Sequence, residues 1–284
     1  MDCPETTTPA LIDCRSGAAF AAGHPAGACS LPAAALFERM QELPRKSRPL
    51  TLCGTADDLA VARAFLEPRG YLIAATRLWS EAYREQLARA GRLETGANPV
   101  RLWQPAPLLE HFVTQLAPQH GLQPGQGLDL ACGAGRDAVY LAQQGWRMSA
   151  LDRSEDALQR VRLMAEQVGV TVQTLARDLE GTAAPLADFT PARLDLIVIF
   201  HYLHRPLFPL LPALLRPGGV LVCQTFMQGC EHSRIGRPRN PRFLLAPGEL
   251  ARQFAGFDIW LDREETLEDG RPVAAFVAAK PEGL

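Results

Sequence analysis

The residues best suited to bind a ligand surround one glycine-rich turn in the second half of the chain. This turn, Gly133-Ala134-Gly135-Arg136-Asp137-Ala138, follows a short apolar stretch and precedes a helical pattern. Glycine adopts positive φ at little cost and lets the backbone approach a ligand closely. Asp152 lies about twenty residues further on, the spacing of a carboxylate that accepts hydrogen bonds from ribose hydroxyls. Taken alone, the pattern also matches a loose dinucleotide-binding fingerprint.

Three further features favour S-adenosylmethionine over a dinucleotide. Asp129 lies inside the strand before the turn, where a cationic amino acid tail needs a partner. Asp178 ends the third strand of this block. Leu215-Arg216-Pro217-Gly218-Gly219 makes a sharp turn into a later strand, and a last strand pair closes the predicted sheet.

From about Leu108 to Lys280 the chain resembles the class I S-adenosylmethionine-dependent methyltransferases. Asp129 to Gly135 is similar to their first motif, with Ala131 in place of the usual first glycine. The resemblance implies that Asp152 binds the ribose and that Asp178 and Leu179 lie at the adenine. Gly-Arg-Asp at 135–137 and the length are most similar to the tellurite-resistance type of small-molecule methyltransferase. The predicted cofactor-binding residues are Asp129, Ala131, Cys132, Gly133, Gly135, Asp137, Asp152, Arg153, Asp178, Leu179 and Phe200.

The residues after the predicted central strand, Leu194 to Phe200, are the catalytic candidates. In this family the carboxyl end of that strand faces the transferable methyl group. Here it offers a base, a hydroxyl and a cation, and histidine accepts a proton readily near neutral pH. The Asn/Asp-Pro-Pro-aromatic motif of enzymes that methylate exocyclic amino groups is absent. A small-molecule acceptor, such as a thiol or a chalcogen oxyanion, is therefore favoured, and the candidates are His201, Tyr202, His204 and Arg205.

An arginine-rich insert, Cys230 to Arg242, follows the next strand and carries four arginines against one acid. Arginine binds oxyanions in a forked geometry, so the insert is a lid over an anionic substrate, an RNA-contacting loop or a solvated loop. The lack of aromatic residues within it disfavours stacking on single-stranded bases. An RNA methyltransferase stays as an alternative function. Cys230 and His232 lack further ligands at zinc spacing, so no metal is predicted.

The first block reads as a small parallel sheet. Short strands at Leu11–Cys14, Pro49–Cys53 and Gly70–Ala74 alternate with helices at Ala33–Glu42 and Leu59–Glu67, which is the pattern of a parallel α/β sheet. Cys53 ends a strand directly before a helix, where the helix amino terminus favours a thiolate.

Residues 8–90 resemble the rhodanese-like domain. Leu11 to Ser16 is similar to its opening Asp-x-Arg motif, and Ala22 to Ala28 to its Gly-His-x-x-Gly-Ala turn. Cys53 stands at the position of that family's catalytic cysteine, which carries sulfur as a persulfide. Asp57 and Asp58 stand where positive charge would help, so we expect them to raise the thiol pKa and repel thiosulfate. A non-catalytic domain is favoured, with a sulfurtransferase whose second domain only binds ligand as the alternative.

The fold class that follows is α/β: a small rhodanese-like parallel-sheet domain, then a Rossmann-like, seven-stranded methyltransferase domain. The predicted bounds are residues 1–90, a linker at 91–107 marked by Pro99, Pro105 and Pro107, and residues 108–284. The net charge of −2 provides no global field for nucleic acid or membrane. The start at Met1–Glu5 has no signal pattern, and Pro206–Cys223 is too rich in proline and glycine to span a bilayer, so a soluble, cytoplasmic protein is expected. Seven scattered cysteines suggest reduced thiols. The oligomeric state is not predicted.

Overall fold

The computed structural model describes residues 8–96, 100–181, 184–267 and 269–282. The chain divides into two compact units, Met1–Gln104 and Pro105–Leu284. The division lies near the end of the stretch 91–107. Within that stretch Leu93–Glu94 forms a strand that pairs with His24–Pro25 of the first unit. Pro99 and the segment Met1–Glu5 lie outside the described residues.

The first unit is built on a four-stranded sheet whose described pairs are all parallel. The strand order is β3-β1-β4-β5, and a separate pair joins β2 to β6. Apolar residues of one sheet face, including Ile12 and Leu52, are fully buried with Leu36 and Leu66. The elements are β1 (Ala10–Asp13), α1 (Gly17–Ala22), β2 (His24–Pro25), β3 (Cys29–Ser30), β4 (Leu50–Gly54), α2 (Ala56–Leu66), β5 (Ile73–Leu78), α3 (Glu81–Arg89) and β6 (Leu93–Glu94), with 3₁₀ turns at Ala33–Ala35, Met40–Glu42 and Glu67–Arg69.

Two predictions in this unit are wrong. The helix expected over Ala33–Glu42 is only a pair of 3₁₀ turns, because no side chain caps its start and Leu43, held extended before Pro44, ends it. The strand expected over Gly70–Ala74 begins at Ile73, because Gly70 adopts φ 85° and closes the preceding turn.

The second unit begins with a continuous helical segment and continues into a seven-stranded sheet. The helical segment comprises α4 (Pro107–His111), a π-helical turn (Phe112–Leu116) and α5 (Ala117–Gln119). The remaining elements are β7 (Gln126–Leu130), α6 (Arg136–Gln143), β8 (Arg147–Asp152), α7 (Glu155–Gln167), β9 (Val172–Ala176), β10 (Leu194–Phe200), α8 (Leu211–Leu214), β11 (Leu215–Phe226), α9 (Glu249–Gln253), β12 (Asp258–Thr266) and β13 (Pro272–Ala279), with 3₁₀ turns at Arg205–Leu210, Cys230–His232 and Pro241–Phe243.

The strand order of this sheet is β12-β13-β11-β10-β7-β8-β9, and it indicates where a ligand would bind. Strand β13 runs antiparallel to β11, whereas β11, β10, β7, β8 and β9 are parallel. From β7 the chain builds outward through β8 and β9, then crosses to β10 on the other side. The strand order therefore reverses between β7 and β10, and the crevice at the carboxyl ends of such strands is where open α/β sheets bind ligands.

Candidate functional site

The turn after β7 combines two glycines that are required for different reasons. Gly133 adopts φ 54°, and a Cβ there would meet no atom within 4 Å, so its backbone borders open space. Gly135 adopts φ 75°, and a Cβ there would lie 2.4 Å from Cγ2 of Val161 on α7. Gly133 can thus admit a ligand against the backbone, while Gly135 lets α7 pack against the start of α6. Ala131 also adopts a left-handed conformation, at φ 58°.

Asp152, at the carboxyl end of β8, holds this turn in place. Its Oδ2 accepts a hydrogen bond from the Gly133 N–H at 2.9 Å, and its Oδ1 accepts one from the Ser154 N–H at 2.9 Å. Ser154 in turn caps α7 through Oγ, as its position in the sequence predicts. Each carboxylate oxygen keeps a lone pair for a further donor.

Asp129 is the most unusual carboxylate of the site. It is only 3% exposed, and its Oδ2 has no hydrogen-bond partner among the described residues. Burial raises its pKa well above the ordinary value, and the nearby carboxylates of Asp137 and Asp152 raise it further. Burial also raises the pKa of Asp137, whose Oδ1 accepts the Ala106 N–H at 2.7 Å. An unpaired buried carboxylate among other acids is costly without a cation.

Asp178 lies in the turn after β9 and is exposed. It accepts hydrogen bonds from the backbone N–H groups of Glu180 and Gly181, at 2.9 and 3.0 Å, and these lower its pKa. Leu179 beside it is buried. The neighbouring Arg177 pairs with Asp188 through Nη2, while its buried Nε has no partner among the described residues.

A cavity of about 350 Å³ joins these segments at the carboxyl edge of the sheet. Six residues predicted from the sequence line it, and three were missed. The missed residues lie in loops without a periodic or motif signal, although Phe243 directly follows the arginine-rich insert. The lining is Ala131, Asp152, Arg153, Asp178, Leu179 and Tyr202 together with Arg177, Glu180 and Phe243. Half-buried Phe200 ends β10 at the same edge, and Asp129, Cys132, Gly133, Gly135 and Asp137 belong to β7, the turn and the first turn of α6.

His201 follows β10 in a left-handed conformation, with φ 54°. Its ring stacks on Phe226, with centroids 5.0 Å apart, and the Arg271 guanidinium lies 4.4 Å from the centre of the same Phe226 ring. Part of the His201 residue is exposed, but its ring is partly desolvated by these neighbours. This desolvation lowers the pKa of His201, and the charges of Arg271 and Arg136 lower it further. The imidazole is therefore neutral near pH 7 and able to accept a proton.

Tyr202, His204 and Arg205 have different surroundings. The Tyr202 hydroxyl is buried without a hydrogen-bond partner in the described part of the chain, and burial together with the nearby acids Glu180 and Asp178 raises its pKa. His204 is half-buried, and its charge helps lower the pKa of Asp178. The Arg205 guanidinium, by contrast, is engaged in hydrogen bonds to other residues of the protein.

Arg205 anchors the segment that follows the arginine-rich insert. Its Nε and Nη2 donate to the Glu249 carboxylate at 2.6 and 2.9 Å. Two further hydrogen bonds go to the backbone carbonyls of Arg242 and Leu244, at 3.0 and 2.9 Å. Arg242 itself approaches Glu180 at 4.0 Å. These contacts bring Phe243 to the cavity wall, and they leave Arg205 a positioning role.

Comparison with known proteins matches this arrangement. The family described as "Methyltransferase domain" matches residues 128–219. The ubiquinone biosynthesis O-methyltransferase of Methylocella silvestris is 30% identical over 182 residues, which span 57% of this chain and 71% of that protein. The chain belongs to the class I S-adenosylmethionine-dependent methyltransferases.

Two further similarities complete the comparison. An uncharacterized Schizosaccharomyces pombe protein is 24% identical to this methyltransferase over 317 aligned positions, covering 95% of this chain and 93% of that protein. This similarity therefore extends over both units. The crystal structure of TehB from Haemophilus influenzae aligns with 22% identity and a TM-score of 0.47, covering 59% of this chain and 61% of that one.

The geometry of the methyltransferase site is compatible with each polar group of S-adenosylmethionine. The cofactor carries an ammonium group, and Asp129 presents a buried carboxylate oxygen without a partner among the described residues. Its ribose has two hydroxyls, and both Asp152 oxygens have capacity for another donor. Its bulk needs an open approach to the turn, which Gly133 provides. Cys132 is half-buried, and burial with the acids Asp129 and Asp152 raises the pKa of its thiol, so it stays a neutral part of the turn.

Cys53 of the methyltransferase is fully buried at the end of β4. Burial first, and the Asp13 carboxylate second, raise the pKa of its thiol to about 12, against the charges of Arg15 and Arg77. The raised thiol pKa agrees with the expectation, but its expected cause is wrong, because burial and Asp13 raise the pKa and Asp57 and Asp58 do not. Asp58 instead closes a capping box with Thr55 at the start of α2. The positive charge missing from the loop comes from other segments.

The described residues hold neither a cluster of metal ligands nor a helix suited to span a membrane. No group of three or more potential metal ligands is found there, at Cys230 and His232 or elsewhere. None of the helices in the same residues has the length and apolarity to cross a bilayer.

Proposed function

We propose that this methyltransferase methylates a small molecule through an acidic S–H or O–H group, with the thiol as the first class to test. S-adenosylmethionine supplies an electrophilic methyl group when bound. Asp129 pairs with its ammonium, Asp152 with its ribose hydroxyls, and Asp178 and Leu179 lie at its adenine, with Ala131, Arg153 and Phe200 completing the contacts. Positioning of the two reactants provides most of the acceleration.

The observation that carries the proposal is the neutral imidazole at the end of β10. The lowered pKa of His201 keeps it unprotonated near pH 7, where it can take a proton from a thiol or a hydroxyl. Tyr202 adds a buried hydroxyl without a partner among the described residues, and Phe243 covers the cavity wall. The matched relative's name also refers to O-methylation in ubiquinone biosynthesis, and the match covers 71% of its length.

RNA remains the second candidate acceptor. The ribosomal RNA small subunit methyltransferase C of Alcanivorax borkumensis is 32% identical, but over only 31% of its length. The arginines at 234, 237, 239 and 242 belong to the insert, and two of them are engaged within the chain. Arg239 Nε donates to the Gly236 carbonyl, and Arg242 approaches Glu180. A third hypothesis is that the chain belongs to the tellurite-resistance subgroup and methylates a chalcogen oxyanion.

The test is release of S-adenosylhomocysteine by the full chain with aromatic and aliphatic thiols, catechols, selenite, tellurite and a mixed RNA substrate. We expect saturable turnover with a thiol or a catechol. His201→Asn, which tolerates the left-handed backbone, should abolish turnover but retain S-adenosylhomocysteine binding. His232→Asn, at a largely exposed histidine, is the matched control. Salt-sensitive turnover with RNA alone would replace the proposal with the second candidate.

We also propose that the first unit is a rhodanese-like domain without sulfurtransferase activity. A thiol with a pKa near 12 and no exposed surface holds almost no thiolate at neutral pH. Mass spectrometry of protein incubated with thiosulfate tests this directly. A persulfide on Cys53 at high occupancy would support the sulfurtransferase alternative.

A further inference from the structure

A second cleft, of about 490 Å³, is lined by residues of the first unit. It opens over the sheet face that carries Leu11 and Thr51, and the half-buried ring of Tyr83 forms part of its wall. Its volume suits a small organic molecule. Cys53 does not line the cleft.

The charges around this cleft are all of one sign. Arg48, Arg77, Arg92 and Arg101 line it, and no acidic residue does so among the residues that the structure describes. Burial raises the pKa of the Tyr83 hydroxyl, and the charges of Arg77 and Arg92 oppose this rise, so both guanidinium groups lie near the ring. Three or more cations around one concave surface repel one another unless an anion joins them.

Several other arginines of the same unit pair with described carboxylates, unlike Arg77 and Arg92 of the cleft. Arg63 pairs with Glu67 at 2.7 Å, and Arg84 and Arg89 pair with glutamates of α3. In the cleft, the one hydrogen bond that the Arg77 side chain makes among the described residues goes to the carbonyl of its neighbour Thr76, at 3.2 Å. No hydrogen bond or ion pair of the Arg92 side chain is found within the described ranges. These donors are therefore available to a ligand.

We infer that the cleft binds a small organic anion with a doubly charged oxyanion group on an apolar or aromatic body. The forked guanidinium groups of Arg77 and Arg92 hold the oxyanion, as arginine does with phosphate. The Tyr83 ring and the aliphatic side chains of Leu11 and Leu102 contact the body. The buried Cys53 thiol takes no part, so this is a binding site and not a site of sulfur transfer.

The probes are 1-naphthyl phosphate, 1-naphthoate and inorganic pyrophosphate, titrated into the full chain by calorimetry at low salt. We expect saturable binding of naphthyl phosphate, competition by pyrophosphate, and at least about tenfold weaker binding of the singly charged naphthoate. Arg92→Ala should weaken naphthyl phosphate binding about tenfold, and Arg77→Ala with Arg92→Ala about a hundredfold. Arg92→Lys should recover part of the loss, because it restores charge without the fork.

The controls separate this site from folding and from methyl transfer. Arg63→Ala, at an arginine paired outside the cleft, should leave naphthyl phosphate binding within about twofold. All variants should keep the wild-type melting temperature and S-adenosylhomocysteine affinity, which shows that both units are folded. The inference fails if wild type shows no saturable binding of naphthyl phosphate below about 1 mM, if Arg63→Ala loses as much as Arg92→Ala, or if pyrophosphate does not displace naphthyl phosphate.

Discussion

Replacing Asp129 with asparagine should stabilise the ligand-free protein and at the same time weaken its binding of S-adenosylhomocysteine. Asparagine keeps the shape of the side chain and removes its charge. Near neutral pH the wild-type carboxyl group is either charged, with Oδ2 unpaired among the described residues, or protonated at a cost, because burial, Asp137 and Asp152 all raise its pKa. The bound ligand's ammonium removes that cost in the wild type only.

The magnitude follows from the burial and from the sign of the pKa shift. Between the ordinary value of 3.8 and the raised native pKa, the folded protein binds more protons than the unfolded chain, so stability falls as pH rises through this window. The asparagine of the variant does not titrate, so its advantage should grow as pH rises from about 4 toward the native pKa and reach about 1–3 kcal/mol. That corresponds to about 2–4 °C per kcal/mol in a domain of this size. Loss of a charged hydrogen bond to the ammonium should weaken binding tenfold or more.

Differential scanning calorimetry with and without S-adenosylhomocysteine, repeated across pH, measures both effects. Asp129→Asn should melt higher than wild type when free and gain less from the ligand. Asp195→Asn is a control that removes a paired carboxylate. Asp195 lies at the amino edge of the sheet, and its Oδ1 is 2.6 Å from Nε of Arg216. The Asp195→Asn change should lower the melting temperature and leave ligand affinity unchanged. A destabilised Asp129→Asn protein with wild-type affinity would refute the assignment of the ammonium to Asp129.

Four further predictions concern the rest of the chain. Arg271→Gln should raise the pKa of His201, since it removes a neighbouring cation, and so move the acid limb of the kcat/KM profile to higher pH; an unmoved limb would exclude His201 as the base. Tyr202→Phe should leave the ligand-free protein at least as stable, because it removes a buried hydroxyl without a described partner, yet reduce turnover; unchanged kinetics would assign the hydroxyl no role. The double change Arg237→Ala and Arg239→Ala should raise the KM of an anionic acceptor by about 1 kcal/mol per exposed contact and leave cofactor affinity within a few-fold, whereas equal KM values would leave a solvated loop. Asp58→Ala should cost about 1 kcal/mol by breaking the capping box, seen as a lower melting temperature, and Cys53 should still resist a thiol reagent until the protein unfolds; rapid labelling of native protein would contradict its burial.

Sequence reasoning succeeded where local chemistry dictates structure. The glycine turn, the strand Leu194–Phe200 and the Ser154 cap each follow from residue types within a few positions. Their conformations depend on positive φ, continuous apolar character and a side-chain acceptor, all visible in the sequence.

Long-range placement was not visible in the same way. Phe243 and Glu180 line the cavity, and Arg205 holds the segment beside Phe243 by bonding Glu249 and two carbonyls across more than thirty residues of chain. No periodicity encodes such a contact. The same limit explains Cys53, whose electrostatic neighbours Asp13 and Arg77 come from adjacent strands and not from the loop that follows it.

The buried polar groups without a described partner in the second unit are concentrated at one edge of its sheet. Within the described residues of that unit, every buried side-chain nitrogen or oxygen without a partner lies at the carboxyl edge of the sheet: Asp129 Oδ2, Arg177 Nε, Tyr202 Oη, Gln224 Oε1 and Thr225 Oγ1. Each such group costs about 1–3 kcal/mol when left unpaired, so their concentration at one edge is expected where ligands supply the partners. Asp129 lies beside the cofactor turn, whereas Gln224 and Thr225 lie near the end of β11, next to β10. The His201 N–H donates to the Gln224 backbone carbonyl at 2.8 Å, so the unpaired groups of β11 lie beside the catalytic candidate at the same edge of the sheet.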